Sequence, residues 1–241
     1  SITGRHEDPP TPTGAPIIDM HAAALLAFGI VSALLFRERT GTGQRVETSL
    51  LEAGLHLQLE PLVYFLNGRR LRERSREGIA STYHAAPYGI YETKDGFLTL
   101  SIAPLQKLAE ALGVQELKSF SERDAYDRPD EIKRVIQSVL KSRNTDEWVQ
   151  ILLSHDLWCG RVNRYENLED NAQLEALKVF YSFEHPKAGT IKTLRHPVRY
   201  SETPACFMRY PPLLSEHTIE ILKELGYDED TVESLRASGV V

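Results

Sequence analysis

Apolar residues run from Ile17 to Phe36, interrupted only by Asp19, His21, Gly29 and Ser32. Asp19 stands near the head of this run, Arg37-Glu38-Arg39 closes it, and Gly41 lies just beyond. An acidic cap, basic residues in the last turn and a terminal glycine predict a helix with Asp19 as its N-cap. Its apolar positions go nearly all the way round, so it is expected to be buried on most sides. The stretch Ala22 to Phe36 reads as too short to cross a bilayer, and no membrane association is expected. Ahead of the helix, Gly4, Pro9, Pro10, Pro12, Gly14 and Pro16 exclude regular structure. Behind it, Gly41-Thr42-Gly43 predicts a turn into a strand over Gln44 to Ser49. Leu50 to Leu66 predicts a second helix, bent at Pro61.

After a basic run the texture changes again. Tyr88 to Thr93 and Phe97 to Ile102 flank Lys94-Asp95-Gly96, a hairpin signal. Helical spacing follows over Pro104 to Leu112, Asp130 to Lys141, Asp146 to Leu153 and Leu168 to Leu177. Phe180 to Glu184 and Gly189 to Leu194 predict a second hairpin. Two short helices end the chain, near His217 to Leu225 and Asp230 to Ser238. The expected architecture is α/β with an inserted small α+β domain: 1–68 in a large domain, 69–81 a linker, 82–185 the small domain, and 186–241 a return to the large one.

Composition narrows the function. The 28 Lys and Arg against 34 Asp and Glu leave a net charge of −6, which argues against nucleic-acid binding. Two cysteines, Cys159 and Cys206, exclude a disulfide scaffold and suit a reducing, cytoplasmic setting. The eight histidines show no HxxxH or HExxH spacing, so no metal site is expected. The GxGxxG, GxxxxGK[ST] and GxSxG motifs are all missing, which removes the dinucleotide, P-loop and serine-hydrolase readings.

Asp19 is the leading candidate for chemistry. A carboxylate at the positive end of a helix stays ionised and fixed in place, as a nucleophile toward a thioester must. On local pattern alone it is an ordinary cap.

Three stretches bear on that choice: Ser1-Ile2-Thr3-Gly4; Gly14-Ala15-Pro16-Ile17-Ile18-Asp19; and Arg37-Glu38-Arg39-Thr40-Gly41-Thr42-Gly43-Gln44-Arg45-Val46. With Pro87-Tyr88-Gly89-Ile90-Tyr91, Asp95-Gly96, Pro211 to Thr218, Leu222 to Gly226 and Ser238 to Val241, they resemble, in order, the class III CoA-transferases. That family includes formyl-CoA transferase, the carnitine CoA-transferases and α-methylacyl-CoA racemase. The resemblance implies that Asp19 is the nucleophile, attacking an acyl-CoA to give a mixed anhydride and then an aspartyl-CoA thioester. A carboxylic acid would be the acceptor, with coenzyme A a substrate and no cofactor held permanently. It also implies a racemase as an alternative, with Asp19 as base. Met20-His21-Ala22 lacks the aromatic residue and glycine run usual there, which favours transfer.

The resemblance further implies an interlocked homodimer and a Rossmann-like half absent from these residues. A complementary N-terminal chain would supply that half, and without it the polypeptide would be a non-catalytic fragment or subunit. No glycine-rich lid stands between Leu66 and Pro87, Ser215 stands where the family usually has Gly, and Trp158-Cys159-Gly160-Arg161-Val162 departs from the usual Pro-Cys-Gly-Pro-Val.

Other residues carry weaker readings. His21, two after Asp19, points to a different helix face and is read as structural or supporting. His84 reads as an exposed loop residue or a CoA contact. Arg69 and Arg70, in the run Arg69 to Arg76, suit a solvated linker or CoA's phosphates. Glu216 and His217 read as a helix cap, Cys159 as a small buried hydrophobe, and Gly41 and Gly43 as turn residues or phosphate contacts.

Overall fold

A computed structural model describes residues 1–68 and 73–241. The chain divides into two compact units, Ser1–Val162 and Asn163–Val241. That division departs from the expected boundaries. Asn163 falls inside the stretch assigned to the small domain. The expected cut at 185/186 falls within a hydrogen-bonded hairpin, β4 (Phe180–His185) with β5 (Gly189–Leu194), whose ladder joins its strands.

The first unit opens with α1 (Ile17–Thr40), closed by Gly41 at φ 75°, whose amide donates to the Arg37 carbonyl at 2.8 Å. The burial expectation fails here: Ala22 is the single buried residue of α1, and Met20 and Phe28 are 70% and 74% exposed. At 24 residues α1 is also longer than the run read from sequence, and by length and composition alone it is long and apolar enough to cross a membrane.

It packs instead on α2 (Leu50–Leu57). A Cβ on Gly54 would lie 3.4 Å from Ile18, and one on Gly29 would lie 2.9 Å from Val46, so both glycines permit close approach. Ser49 caps α2 by accepting the Glu52 amide at 3.2 Å. The strand expected over Gln44 to Ser49 does not form: these residues have no regular structure and join no sheet among the described residues.

The predicted second helix is two: α2 ends at Leu57 and α3 (Leu59–Leu66) begins after Gln58. Pro61 sets the break because it has no N–H for the Leu57 carbonyl, and its ring excludes that carbonyl from a continuous helix. The break therefore lies one turn before the proline.

Beyond the linker, β1 (Gly89–Glu92) and β2 (Phe97–Leu100) form the expected hairpin. β3 (Cys159–Arg161) adds to β2, giving an antiparallel sheet in the order β1-β2-β3. Alternation turns Leu98 and Leu100 inward, onto α4 (Leu105–Leu112), α6 (Pro129–Leu140) and α7 (Thr145–Ser154), with α5 (Glu122–Asp127) at the edge. Leu108, Ile132, Ile136, Leu140 and Leu152 fill the centre. The hairpin turn also holds α7: Asp95 accepts the Thr145 amide and hydroxyl, both at 2.7 Å. Those bonds, with Arg161 nearby, hold the Asp95 carboxyl below its usual range.

The second unit contains α8 (Ala172–Ala176), the β4–β5 hairpin, α9 (Thr218–Glu224) and α10 (Glu229–Ala237). Ser215 sits at φ 62°, in the left-handed region, which accounts for the glycine usual at this position in the family it resembles. A non-glycine residue there costs about 1–2 kcal/mol. Ser215→Gly is expected to stabilise this unit by about 1 kcal/mol, once the extra chain entropy of glycine is set against the relief. A rise in the urea midpoint at unchanged slope would show it.

Candidate functional site

Asp19 is not the N-cap. Pro16 holds that position at φ −77°, makes no side-chain cap, and starts the helix at Ile17. The Met20 amide donates to the Pro16 carbonyl at 3.1 Å, so Asp19 lies in the first turn as the third helical residue. The dipole argument survives the shift, because a first-turn carboxylate still faces amides without intrahelical acceptors. The side chain is exposed, outside every ion pair among the described residues. An acyl carbonyl therefore has open access to its carboxylate.

His21 does not pair with Asp19. Its Nε2 lies 3.0 Å from Nδ1 of His56 on α2, and the two rings stack with centroids 5.2 Å apart and planes 18° from parallel. One ring must carry the shared proton for that contact to be a hydrogen bond. The pair ties the first turns of α1 to the last turn of α2, the supporting role expected of His21. His56 went unnoticed in the sequence because 35 residues separate the partners. Its one signal was a polar ring flanked by Leu55 and Leu57.

His84 differs from the exposed loop residue expected. It is half-buried, its ring lies 4.5 Å from that of Tyr88, and its Nδ1 is sealed from solvent without a hydrogen-bond partner. Thr82 Oγ1 and Tyr83 OH are sealed and unpartnered in the same way. Sequence reasoning missed both. The Tyr83 ring stacks on Tyr64 of α3 at 5.7 Å. Beside this segment lies a cleft of about 290 Å³ lined by Gly4, Ile79, Ser81, Tyr88, Ile90 and Thr99 among others; Asp19 is not in its wall.

Arg69 and Arg70 lie outside the described residues. The last arginines of the run are not a free solvated linker. Arg74 Nη1 donates to the Thr3 carbonyl at 2.7 Å, its Nη2 reaches the carbonyls of His6 and Asp8, and Arg76 pairs with Glu7. They fasten the proline-rich opening segment, so neither is free to take a phosphate in this arrangement.

In the second unit Glu216 accepts the Leu213 amide at 2.7 Å and the Tyr210 hydroxyl at 2.8 Å. These bonds hold its carboxyl below the usual range, the amide contributing most. His217 caps α9 beside Glu220 at 3.2 Å. Both follow the expectation. Cys159 is half-buried against the core, and burial pushes its thiol up, away from nucleophilic use. No cluster of three metal-ligating side chains occurs among the described residues.

Succinyl-CoA:glutarate CoA-transferase of Mus musculus is 28% identical over 249 residues, covering 100% of the chain and 56% of that protein. Formyl-CoA:oxalate CoA-transferase of Rhodopseudomonas palustris (strain BisA53) is 28% identical over 275 residues, covering 100% of the chain and 63% of that protein. The chain thus spans a little over half the length of these curated relatives. In fold it resembles the orthorhombic form of Rv3272 from M. tuberculosis (TM-score 0.71, 24% identity, 89% of this chain and 59% of that one). It also resembles a CAIB/BAIF family protein from Brucella suis (TM-score 0.72, 21% identity, 93% and 59%). These neighbours bear out the expected class III α/β fold. The model of CoA-transferase family III matches residues 1–218, nearly the whole chain, and the chain belongs to that family.

Proposed function

We propose that this chain is the nucleophile-bearing part of a CoA-transferase that moves coenzyme A between carboxylic acids, with Asp19 as its covalent centre. The Asp19 carboxylate attacks the thioester carbon of an acyl-CoA; the C–S bond breaks, CoA thiolate leaves, and an aspartyl–acyl anhydride remains. The thiolate then attacks the aspartyl carbon, releasing the donor acid and leaving aspartyl-CoA. The acceptor carboxylate attacks that thioester, and the returning thiolate takes the acceptor acyl group, restoring the carboxylate. No net proton moves, so no acid–base residue is required. What each step needs is a fixed carboxylate and donors for the oxyanion.

The exposed first-turn position of Asp19 carries this reading. The names of the curated relatives support it, and the racemase alternative has no structural observation in its favour.

A second observation favours incompleteness of the chain taken alone. Met20, Phe28, Val31, Leu51 and Leu66 leave α1, α2 and α3 with a broad exposed apolar surface. We assign that surface to the CoA-binding half, carried on another polypeptide or further along a longer one, in an assembly of two copies. The expected calorimetric result is no heat of acyl-CoA binding with this chain alone and saturable binding once the complementary half is added. Tight binding by the chain alone overturns the assignment.

A further inference from the structure

Asp19 is exposed and outside every ion pair among the described residues, so its backbone alone sets where its carboxylate stands. That backbone is held from both sides. Ile18, the residue before it, packs so closely on α2 that a Cβ on Gly54 would lie 3.4 Å from it. His21, three after Ile18 and on the same helix face, meets His56 in the last turn of α2, with Nε2 and Nδ1 3.0 Å apart. Asp19 lies between these two contacts, on another face of the helix.

The first contact is apolar and indifferent to pH; the second is not. Two imidazoles bond through facing nitrogens only while one of those nitrogens lacks a proton. With both rings neutral, or one of them charged, a single hydrogen lies between the nitrogens and the bond holds. A second charge puts a hydrogen on each, which removes the bond and sets two cations in contact. The other ionisable groups around the pair leave it to itself. Asp19 stands two residues before His21, and Glu52 and Glu60 stand four before and four after His56. Neither ring forms an ion pair with them among the described residues, and the Glu52 carboxylate accepts the Ser49 hydroxyl at 2.7 Å. Arg45 and Glu47, in the segment beside α1, pair with each other, and Arg37, Glu38 and Arg39 lie about four turns further along α1.

We infer that His56, acting through His21, is a positioning residue whose bond fixes the first turn of α1 and with it the Asp19 carboxylate, and that protonation of both rings releases that turn. This rests on the CoA-transferase reading and adds an acid limit to it. The proposed chemistry moves no net proton, and a carboxylate nucleophile by itself is lost only near pH 4, where such groups titrate. The paired rings add a fall in the range where imidazoles titrate, below about pH 6.5. The loss belongs to the rate of attack rather than to substrate affinity, because a misplaced reacting atom slows the chemistry while the groups that bind coenzyme A stay as they were.

Two variants separate the parts. His21→Gln combined with His56→Asn keeps an amide at each facing position and nothing that titrates; His56→Ala removes the bond at every pH. Hydrogen exchange of the chain reads the turn directly. Between pH 7.5 and pH 5, protection of the amides from Met20 to Ala23, corrected for intrinsic exchange, is expected to fall about 5–10-fold in the parent and to hold in the double variant. With the CoA-binding half present, hydroxylamine trapping gives the maximal single-turnover rate at which succinyl-CoA, the probe, acylates Asp19. At pH 8 that rate is expected to be about 5–10-fold lower in His56→Ala than in the parent, with the half-saturating concentration within about twofold. At pH 5.5 the parent is expected to drop to the His56→Ala rate, while the double variant keeps most of its own. Parent protection that does not change with pH overturns the inference. An acid fall that the double variant shares overturns it too, as does a His56→Ala rate equal to the parent's. Where His56→Ala does not fold, the double variant still decides, because it keeps the contact. Acid loss of protection in the parent alone, with no adduct on Asp19, sinks the nucleophile reading and leaves the titrating contact standing.

Discussion

Asp19→Asn is expected to lower CoA transfer by on the order of 10³-fold or more while leaving the fold and acyl-CoA affinity in place. The amide nitrogen and oxygen that replace the carboxylate cannot form an anhydride at a useful rate, so the covalent route closes. Stability is little affected, because the side chain is exposed and holds no cap bond. The one loss is the attraction of a first-turn charge to the helix dipole, about 0.3–1 kcal/mol. Intact mass analysis gives the second readout. Acyl-CoA followed by hydroxylamine, with the complementary half present, is expected to leave a hydroxamate on the peptide containing Asp19. Exchange of the substrate's α-proton for deuterium with no modified Asp19 would instead select the racemase chemistry. A modified peptide elsewhere in the chain would remove Asp19 from its role.

The helix that carries Asp19 was legible from an order of residues, a proline-rich lead, a carboxylate, an apolar run and a glycine stop, whereas the choice of Asp19 over an ordinary cap came from the family resemblance. The local detail was not, since Pro16 takes the cap and the helix begins at Ile17, three residues ahead of the expected first helical position, which moves Asp19 from cap to first turn. The β1–β2 hairpin and the helices over it were equally readable, because alternation and helical spacing are short-range signals that the core then satisfies. Long-range facts left no such trace. Nothing local joins His21 to His56 or Tyr64 to Tyr83, and nothing in Thr82-Tyr83-His84 announces that its polar atoms are sealed. The burial expected for α1 failed for a different reason. A helix that is apolar all round reports that something covers it, but not that the cover lies within the same residues. Arg74 shows the reverse error: a charge run reads as solvated, yet this side chain collects carbonyls from the opening segment.

Folding stability of the first unit is expected to rise as pH climbs from about 8 toward 10, against the usual alkaline trend. Lys133 of α6 is 1% exposed, with Nζ donating to the Ser75 hydroxyl at 2.7 Å. Burial drives its pKa down from 10.5 to about 8, outweighing the attraction of Asp130. Below pH 8 both the folded and unfolded chains carry the charge, and the folded state bears the full desolvation cost. Between 8 and 10.5 the unfolded chain binds more protons than the folded one, so stability increases with pH through that window. At 1.36 kcal/mol per pKa unit the whole rise is about 3 kcal/mol. Tyr91 opposes it at the upper end. Its phenol is fully buried, donates to the Pro87 carbonyl at 2.6 Å, and burial raises its pKa far above the usual value. Above pH 10 the unfolded chain loses that proton while the folded chain keeps it, so stability falls again. The Cys159 thiol, also raised by burial, opposes the climb in the same sense from about pH 9, so the three groups together place a maximum between about pH 9 and 10. Lys133→Met is expected to add about 2 kcal/mol at pH 7, after the lost bond to Ser75 is counted, and to flatten the climb above pH 8. Urea unfolding at half-unit pH steps decides it: a flat or falling profile from 8 to 10 in the parent chain means that Lys133 stays fully charged in the folded state.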